Sequence, residues 1–172
     1  MDEKFSDEIS YARKLIRGRI AEVLFEQMIR KEGRYTVIPF GYEHTLPTLA
    51  QYRHFVEIEQ VINNISDAPD FVLISSNKKE VYLVEVKYQT RFDIEQIVAH
   101  ASKLLDRWNP SWLFVATPEA FYCSPCSVIA GEQRIGKLTD GWVETSRQSE
   151  YLKLLGEFRC SEHISQKSGP ML

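Results

Sequence analysis

Two strand-like runs, Asp70-Phe71-Val72-Leu73-Ile74-Ser75 and Val81 to Tyr88, are separated by the turn-like stretch Ser76-Asn77-Lys78-Lys79. A hairpin is the simplest way to fold them. Side chains two apart in a strand point the same way. Val81, Leu83, Glu85 and Lys87 therefore share one face, and Tyr82, Val84, Val86 and Tyr88 share the other. A carboxylate and an ammonium ending a mostly apolar face are costly unless something compensates them. In a hairpin Asp70 comes near Glu85. Two carboxylates beside a lysine form a set able to hold a hard divalent cation and to orient a water on a phosphate. Plainer readings exist: Glu85 and Lys87 as a solvated pair on an edge strand, and Asp70 as a turn residue after Pro69.

Upstream, Ser6 to Lys31 reads as a helix. Leu15, Ile16, Ile20, Val23, Leu24, Met28 and Ile29 recur at helical spacing, and Gly33 lies just past the end. Glu22 falls on the stripe of Leu15, Gly18, Phe25 and Ile29, while Ile16, Ile20 and Leu24 occupy the opposite side. A helix apolar nearly all round is expected to be largely buried. A glutamate in that setting has either a partner or a task. The available partner is Arg19 at i−3, and Glu26 can pair with Arg30 at i+4. Gly18 in mid-helix is unfavourable by about 1 kcal/mol relative to alanine, which suggests the close approach of a backbone, that of the chain itself or of a nucleic acid.

In order, these elements resemble the PD-(D/E)XK nuclease superfamily: a helix, a strand, a strand with Pro69-Asp70, a strand with Glu85-Val86-Lys87, a helix and a strand. Arg17-Gly18-Arg19-Ile20-Ala21-Glu22 is similar to the Gly-x-x-x-Glu helix motif of its Holliday-junction-resolvase-like and restriction-endonuclease-like members. The resemblance covers residues 10 to 117. It implies a restriction-endonuclease-like α/β core, a central mixed sheet of four or more strands flanked by helices in α-β-β-β-α-β order. It also implies a Mg²⁺- or Mn²⁺-dependent phosphodiesterase. Asp70, Glu85 and Glu22 would hold the metal, and Lys87 would steer or activate water as the fourth catalytic residue. Gln96 and Glu26 are additional candidates, with a surface glutamine as the alternative for Gln96.

The remaining core segments are consistent with that order. Tyr35 to Phe40 reads as a first strand, with Pro39 placing it near an edge or ending it early. Asp93 to Trp108 reads as an amphipathic helix striped by Ile94, Ile97, Val98, Ala101, Leu104 and Leu105, with Asp93 as N-cap. Asn109-Pro110 ends it, and Ser111 to Ala116 reads as a buried strand. A strand, a crossover helix and a strand predict parallel pairing. Pro47 to Asn64, inside a stretch at about 44–66, predicts an inserted helix or two short ones. Residues 1–160 are expected to form one domain, and 161–172 a polar, loosely ordered tail.

With 172 residues, 44% of them apolar, the chain can bury a sizeable core. No stretch approaches the roughly 20 apolar residues that span a bilayer, and Met1-Asp2-Glu3-Lys4 does not resemble a signal peptide; a cytoplasmic setting is expected. The net charge of −3 does not announce a nucleic-acid binder. Basic residues are instead concentrated locally. Arg13, Lys14, Arg17 and Arg19 precede Glu22, and Gln89 and Arg91 follow the Glu-x-Lys strand, where phosphate contacts would help. The alternative for the helical cluster is a solvated face. DNA is the expected partner, and a homodimer is compatible with cutting two strands.

Cys123-x-x-Cys126 and Cys160-x-x-His163 together offer a tetrahedral zinc set; the alternative is three reduced thiols. The Cys-x-x-Cys also resembles a thioredoxin-type site, which needs a helix N-terminus, whereas Val128-Ile129-Ala130 reads as a strand. Three functional readings follow: a metal-dependent nuclease, a non-catalytic binding module of the same fold, and a zinc-stapled interaction protein.

Overall fold

The computed structural model describes residues 2–41 and 67–164, with side chains for 10–41 and 67–158. In chain order its elements are α1 (Asp2–Glu32), β1 (Tyr35–Pro39), β2 (Phe71–Ser75), β3 (Val81–Tyr88), α2 (Ile94–Leu105), β4 (Trp112–Ala116), β5 (Phe121–Pro125), α3 (Cys126–Glu132) and α4 (Thr145–Ile164). The five strands form one mixed sheet in the order β1-β2-β3-β4-β5. Only β3 and β4 pair in parallel, through the α2 crossover; the other neighbours are antiparallel. This is the α/β architecture expected of a restriction-endonuclease-like core. The inserted helix expected at 44–66 lies outside the described residues.

Local chemistry accounts for the boundaries. The turn between β2 and β3 places Lys78 at φ 58°, and the Asn77 side-chain oxygen accepts from Ser75 Oγ (2.7 Å) and Lys79 N (2.9 Å). Asn and Ser favour turns for this reason. Asp93 caps α2 by accepting from Gln96 N at 3.1 Å. Gly33 ends α1 at φ 76°, where glycine is tolerated without a Cβ penalty. Pro39 ends β1 on the sheet edge, where its missing N–H costs no ladder bond.

The sheet separates two cores. On one side α1 lays Ala21, Leu24, Phe25, Met28 and Ile29 over Phe71, Leu73, Val84, Val86 and Phe114, and Leu155 of α4 joins the same cluster. On the other, Ile97, Ala101 and Leu104 of α2 and Cys126 and Ile129 of α3 cover Leu113 and Val115. Tyr35, Tyr82, Trp112 and Trp142 stack at the end where β1, β3 and β4 begin, with ring centroids 5.0–6.0 Å apart.

Three expectations need correction. α1 is not buried all round: Leu15 and Ile16 are 56% exposed and Val23 49%. At 31 residues it is about 46 Å long, whereas strands of five to eight residues reach only about 17–27 Å, so its first half outruns the sheet. Val128-Ile129-Ala130 lie in the short helix α3 rather than in a strand; a brief apolar run does not separate the two by periodicity. Finally, α4 continues through 161–164, four residues into the stretch expected as tail.

These differences set a stability test. Phe25 is 1% exposed and meets the rings of Phe114 (4.7 Å) and Phe71 (5.4 Å). Phe25→Ala is expected to cost about 3–5 kcal/mol. Leu15→Ala should change stability by no more than about 0.5 kcal/mol. Urea unfolding of the two variants measures both, and equal losses would refute the division of α1 into packed and unpacked halves.

Candidate active site

The register of the β2–β3 hairpin builds the site. Phe71 pairs with Val84 and Val72 with Leu83. One step further places Asp70 opposite Glu85. In β3 the alternation sends Val84 and Val86 into the α1-side core. Glu85 and Lys87, which pair with Leu113 and Val115, lie on the α2 side. Asp70 Oδ2 accepts from Val86 N at 2.7 Å, so the carboxylate fastens the strand just where the ladder stops. The Lys87 ammonium donates to Glu85 Oε1. The ends of β3 and β4 that form this region are their carboxyl ends, the usual location of ligands in open α/β sheets.

The electrostatics are those of crowded carboxylates. Burial pushes the Asp70 carboxyl well above its ordinary value, and the charges of Glu85 and Glu22 push it the same way; Lys87 and the Val86 N–H only partly oppose them. For Lys87 burial acts downward. Glu85 and Asp70, the hydrogen bond to Glu85, and Glu22 outweigh it and hold the ammonium above its ordinary value. Lys87 nevertheless keeps 36% of its side chain accessible, so it is within reach of a ligand.

Glu22 comes from α1, the layer on the opposite face, yet its charge acts on both Asp70 and Lys87. It also takes the partner its spacing predicts, Arg19 at 2.5 Å. Glu26 pairs with Arg30 at 2.8 Å, and Arg30 in turn donates to Val37 O. That arrangement ties α1 to β1. A Cβ at Gly18 meets nothing within 4 Å among the described residues, so no backbone of the described chain approaches this glycine closely.

The basic residues divide. Lys14, Arg17, Arg91 and Gln96 line one groove of about 900 Å³ between α1 and the segment joining β3 to α2. Arg17 Nη1 reaches Thr90 Oγ1 at 3.4 Å. Arg13 is exposed but does not line the groove, and Arg19 faces α4 instead. Gln89 is buried, its amide spent on the backbone N–H and carbonyl of Asp93 (3.0 and 3.2 Å). It holds the loop with its carbonyl and one of its two amide N–H donors, and it lines the same groove.

Sequence reasoning missed one wall of the site. Asp67, His100, Lys103 and Leu104 enclose, with Glu85 and Lys87, a cavity of about 210 Å³. Asp67 is clamped by Lys103 at 2.9 Å and Arg107 at 2.6 Å. Burial, and then the Lys87 charge, lower the His100 pKa, leaving a neutral imidazole at neutral pH. The signal was available, because His100 and Lys103 follow Gln96 by four and seven residues and therefore share its side of α2.

Among the described residues no group of three or more His, Cys, Asp or Glu side chains is arranged to hold a metal ion. The pair Asp70 and Glu85 still suits a hard cation. Magnesium keeps several waters and commonly takes one or two carboxylates together with substrate phosphates, and a cation would relieve the repulsion that raises Asp70. The thiols fit zinc less well. Cys123 packs in the α1-side core and Cys126 in the α2-side core, and burial raises the pKa of both. The side chains of Cys160 and His163 lie outside the described residues. Among the described residues no helix is long and apolar enough to cross a membrane. No protein-family model matches the chain, and no curated protein matches it.

The raised Asp70 carboxyl has a signed consequence. A carboxyl whose folded pKa exceeds its unfolded value destabilises the fold progressively as pH rises above the unfolded value of about 4. Asp70→Asn keeps an oxygen acceptor for Val86 N–H and removes the charge. Its Tm is therefore expected to exceed the wild-type Tm at pH 7 in metal-free buffer, at about 2–4 °C per kcal/mol gained, and the advantage should vanish near pH 4. A variant less stable than wild type at pH 7 but not at pH 4 would show that the carboxylate is favourably paired instead.

Proposed function

We propose that this chain is a metal-dependent nuclease of the PD-(D/E)XK type that hydrolyses phosphodiester bonds in nucleic acid, with DNA as the first substrate to test. One observation carries the reading: Asp70 lies opposite Glu85, with Lys87 on the same face, and the chain that runs on from Lys87 through Tyr88 to Arg91 lines a groove with Lys14 and Arg17. Buried like charges are retained where a counter-ion or a reaction needs them.

Asp70 and Glu85 are the residues that would hold Mg²⁺ or Mn²⁺, and Glu22, whose charge acts on Asp70 and Lys87, would join through water once released from Arg19. When bound, the ion supplies charge stabilisation at a phosphoryl oxygen and a lowered water pKa. The chain's own residues do the rest. Lys87 stays protonated because of its carboxylate neighbours, and it offers donors to the attacking water and to the phosphoryl oxygens as their charge grows. Water adds to phosphorus and the bond to the 3′ oxygen breaks in line. The basic groove binds flanking phosphates and fixes the strand.

One observation favours a second reading, a module that binds nucleic acid without turnover. Glu22 is engaged by Arg19, and three metal-ligating side chains do not converge among the described residues.

A cleavage panel separates the two. Labelled single strands, duplexes, flaps and four-way junctions of DNA and RNA are incubated with Mg²⁺, Mn²⁺ or EDTA. Metal-dependent cutting is expected, abolished by Asp70→Asn and Glu85→Gln. Lys87→Ala should lower turnover more than metal affinity, and Glu22→Gln should cost more activity than Glu26→Gln. Binding without cutting under every condition would establish the second reading. Wild-type rates in Asp70→Asn would remove the site assignment altogether.

A further inference from the structure

The groove and the carboxylate site are linked by one face of α2. Gln96, His100, Lys103 and, just past its end, Arg107 follow one another at helical spacing. Gln96 lines the basic groove; His100 and Lys103 line the small cavity that holds Glu85 and Lys87. At about 210 Å³ the cavity is below the roughly 300–1,000 Å³ of sites that take whole small molecules. It suits a phosphoryl group with its water rather than a nucleoside. Glu85 is met by Lys87, and Asp67 by both Lys103 and Arg107. Lys87, Lys103 and Arg107 balance Asp67, Glu85 and the neighbouring Asp70, so the surroundings set no net negative charge against a phosphate. His100 stands apart from these pairs: among the described residues its imidazole makes no hydrogen bond and no ion pair, although it faces the cavity. A neutral imidazole donates through one nitrogen and accepts through the other.

We propose that this cavity is a subsite for a phosphate flanking the scissile one, and that His100 is its hydrogen-bond donor, with Lys103 supplying charge. The proposal rests on the nuclease reading and deepens it: α2 tracks the backbone of the strand being cut, so the enzyme reads a run of phosphates through the site and not an isolated phosphodiester. His100 binds substrate; it takes no part in bond breaking.

The test uses the full chain and an oligonucleotide that the wild-type protein cuts, with each phosphate near the cut replaced in turn by an uncharged methylphosphonate. For wild type, one flanking replacement is expected to raise KM about tenfold, the low end for losing a hydrogen bond to a charged oxygen. His100→Ala should show most of that rise on the unmodified strand, only the smaller further rise owed to Lys103 with that replacement, and a kcat within about threefold of wild type. His100→Gln, which restores an N–H donor, should recover most of the loss. A His100→Ala variant that matches wild type, or one that still suffers the full penalty of every replacement, would overturn the subsite. That result, with wild-type cutting still dependent on Asp70, removes this inference alone. Absence of cutting by wild type on every substrate removes the nuclease reading and the subsite with it.

Discussion

The hydrogen bond from Val86 N to Asp70 Oδ2 sits where the β2–β3 ladder ends, and the site depends on it. The ladder sets which residues oppose one another; a slip of one position would turn Glu85 and Lys87 toward the α1 core and Val84 and Val86 toward α2. Phe71, Leu73, Val84 and Val86 prevent that slip, because each is almost fully buried under α1. The carboxylate of Asp70 then replaces the next cross-strand partner. It is held at a fixed place beside Glu85, and the backbone of Asp70 is held from the other side, its carbonyl accepting from Phe40 N (2.8 Å) and Gly41 N (3.2 Å).

Such a placement is unfavourable for the apo fold. Burial and two like charges oppose ionisation of Asp70, whereas a well-packed apolar residue there would carry no such cost. Lys87 offsets part of it through Glu85. The same arrangement suits the proposed chemistry: oxygen donors that repel one another would attract a cation, and an ammonium kept protonated beside them would be available to a phosphate. Structural ion pairs elsewhere in the molecule look different. Glu32 is also deeply buried, but two arginines, Arg34 and Arg147, satisfy it at 2.9 Å each, and it links α1 to the start of α4.

Much of this was legible in the sequence because it rests on short-range rules. The hairpin, the α2 cap at Asp93, the parallel β3–β4 pair and the face shared by Glu85 and Lys87 all follow from alternation, turn chemistry and crossover geometry. The pairing of Glu22 with Arg19 and of Glu26 with Arg30 follows from helical spacing. What failed depended on tertiary contacts. Whether Leu15 is covered depends on how far the sheet extends beneath α1. Whether Gln89 is free depends on the loop that folds back to Asp93. The helix at Cys126 follows from its packing against α2, which a seven-residue segment does not announce. His100 was legible but overlooked, since a histidine on a helix is singled out only once the cavity it faces is known.

Asp70 and Glu85 are proposed to share one cation beside Lys87. The most direct test is anomalous diffraction from crystals of the full chain soaked in Mn²⁺, with Asp70→Asn crystals treated alike. The account predicts a peak within bonding distance of the Asp70 and Glu85 carboxylates that is lost in the variant. Saturating Mn²⁺ that leaves this position empty, or that gathers only at some other cluster of side chains, would contradict it.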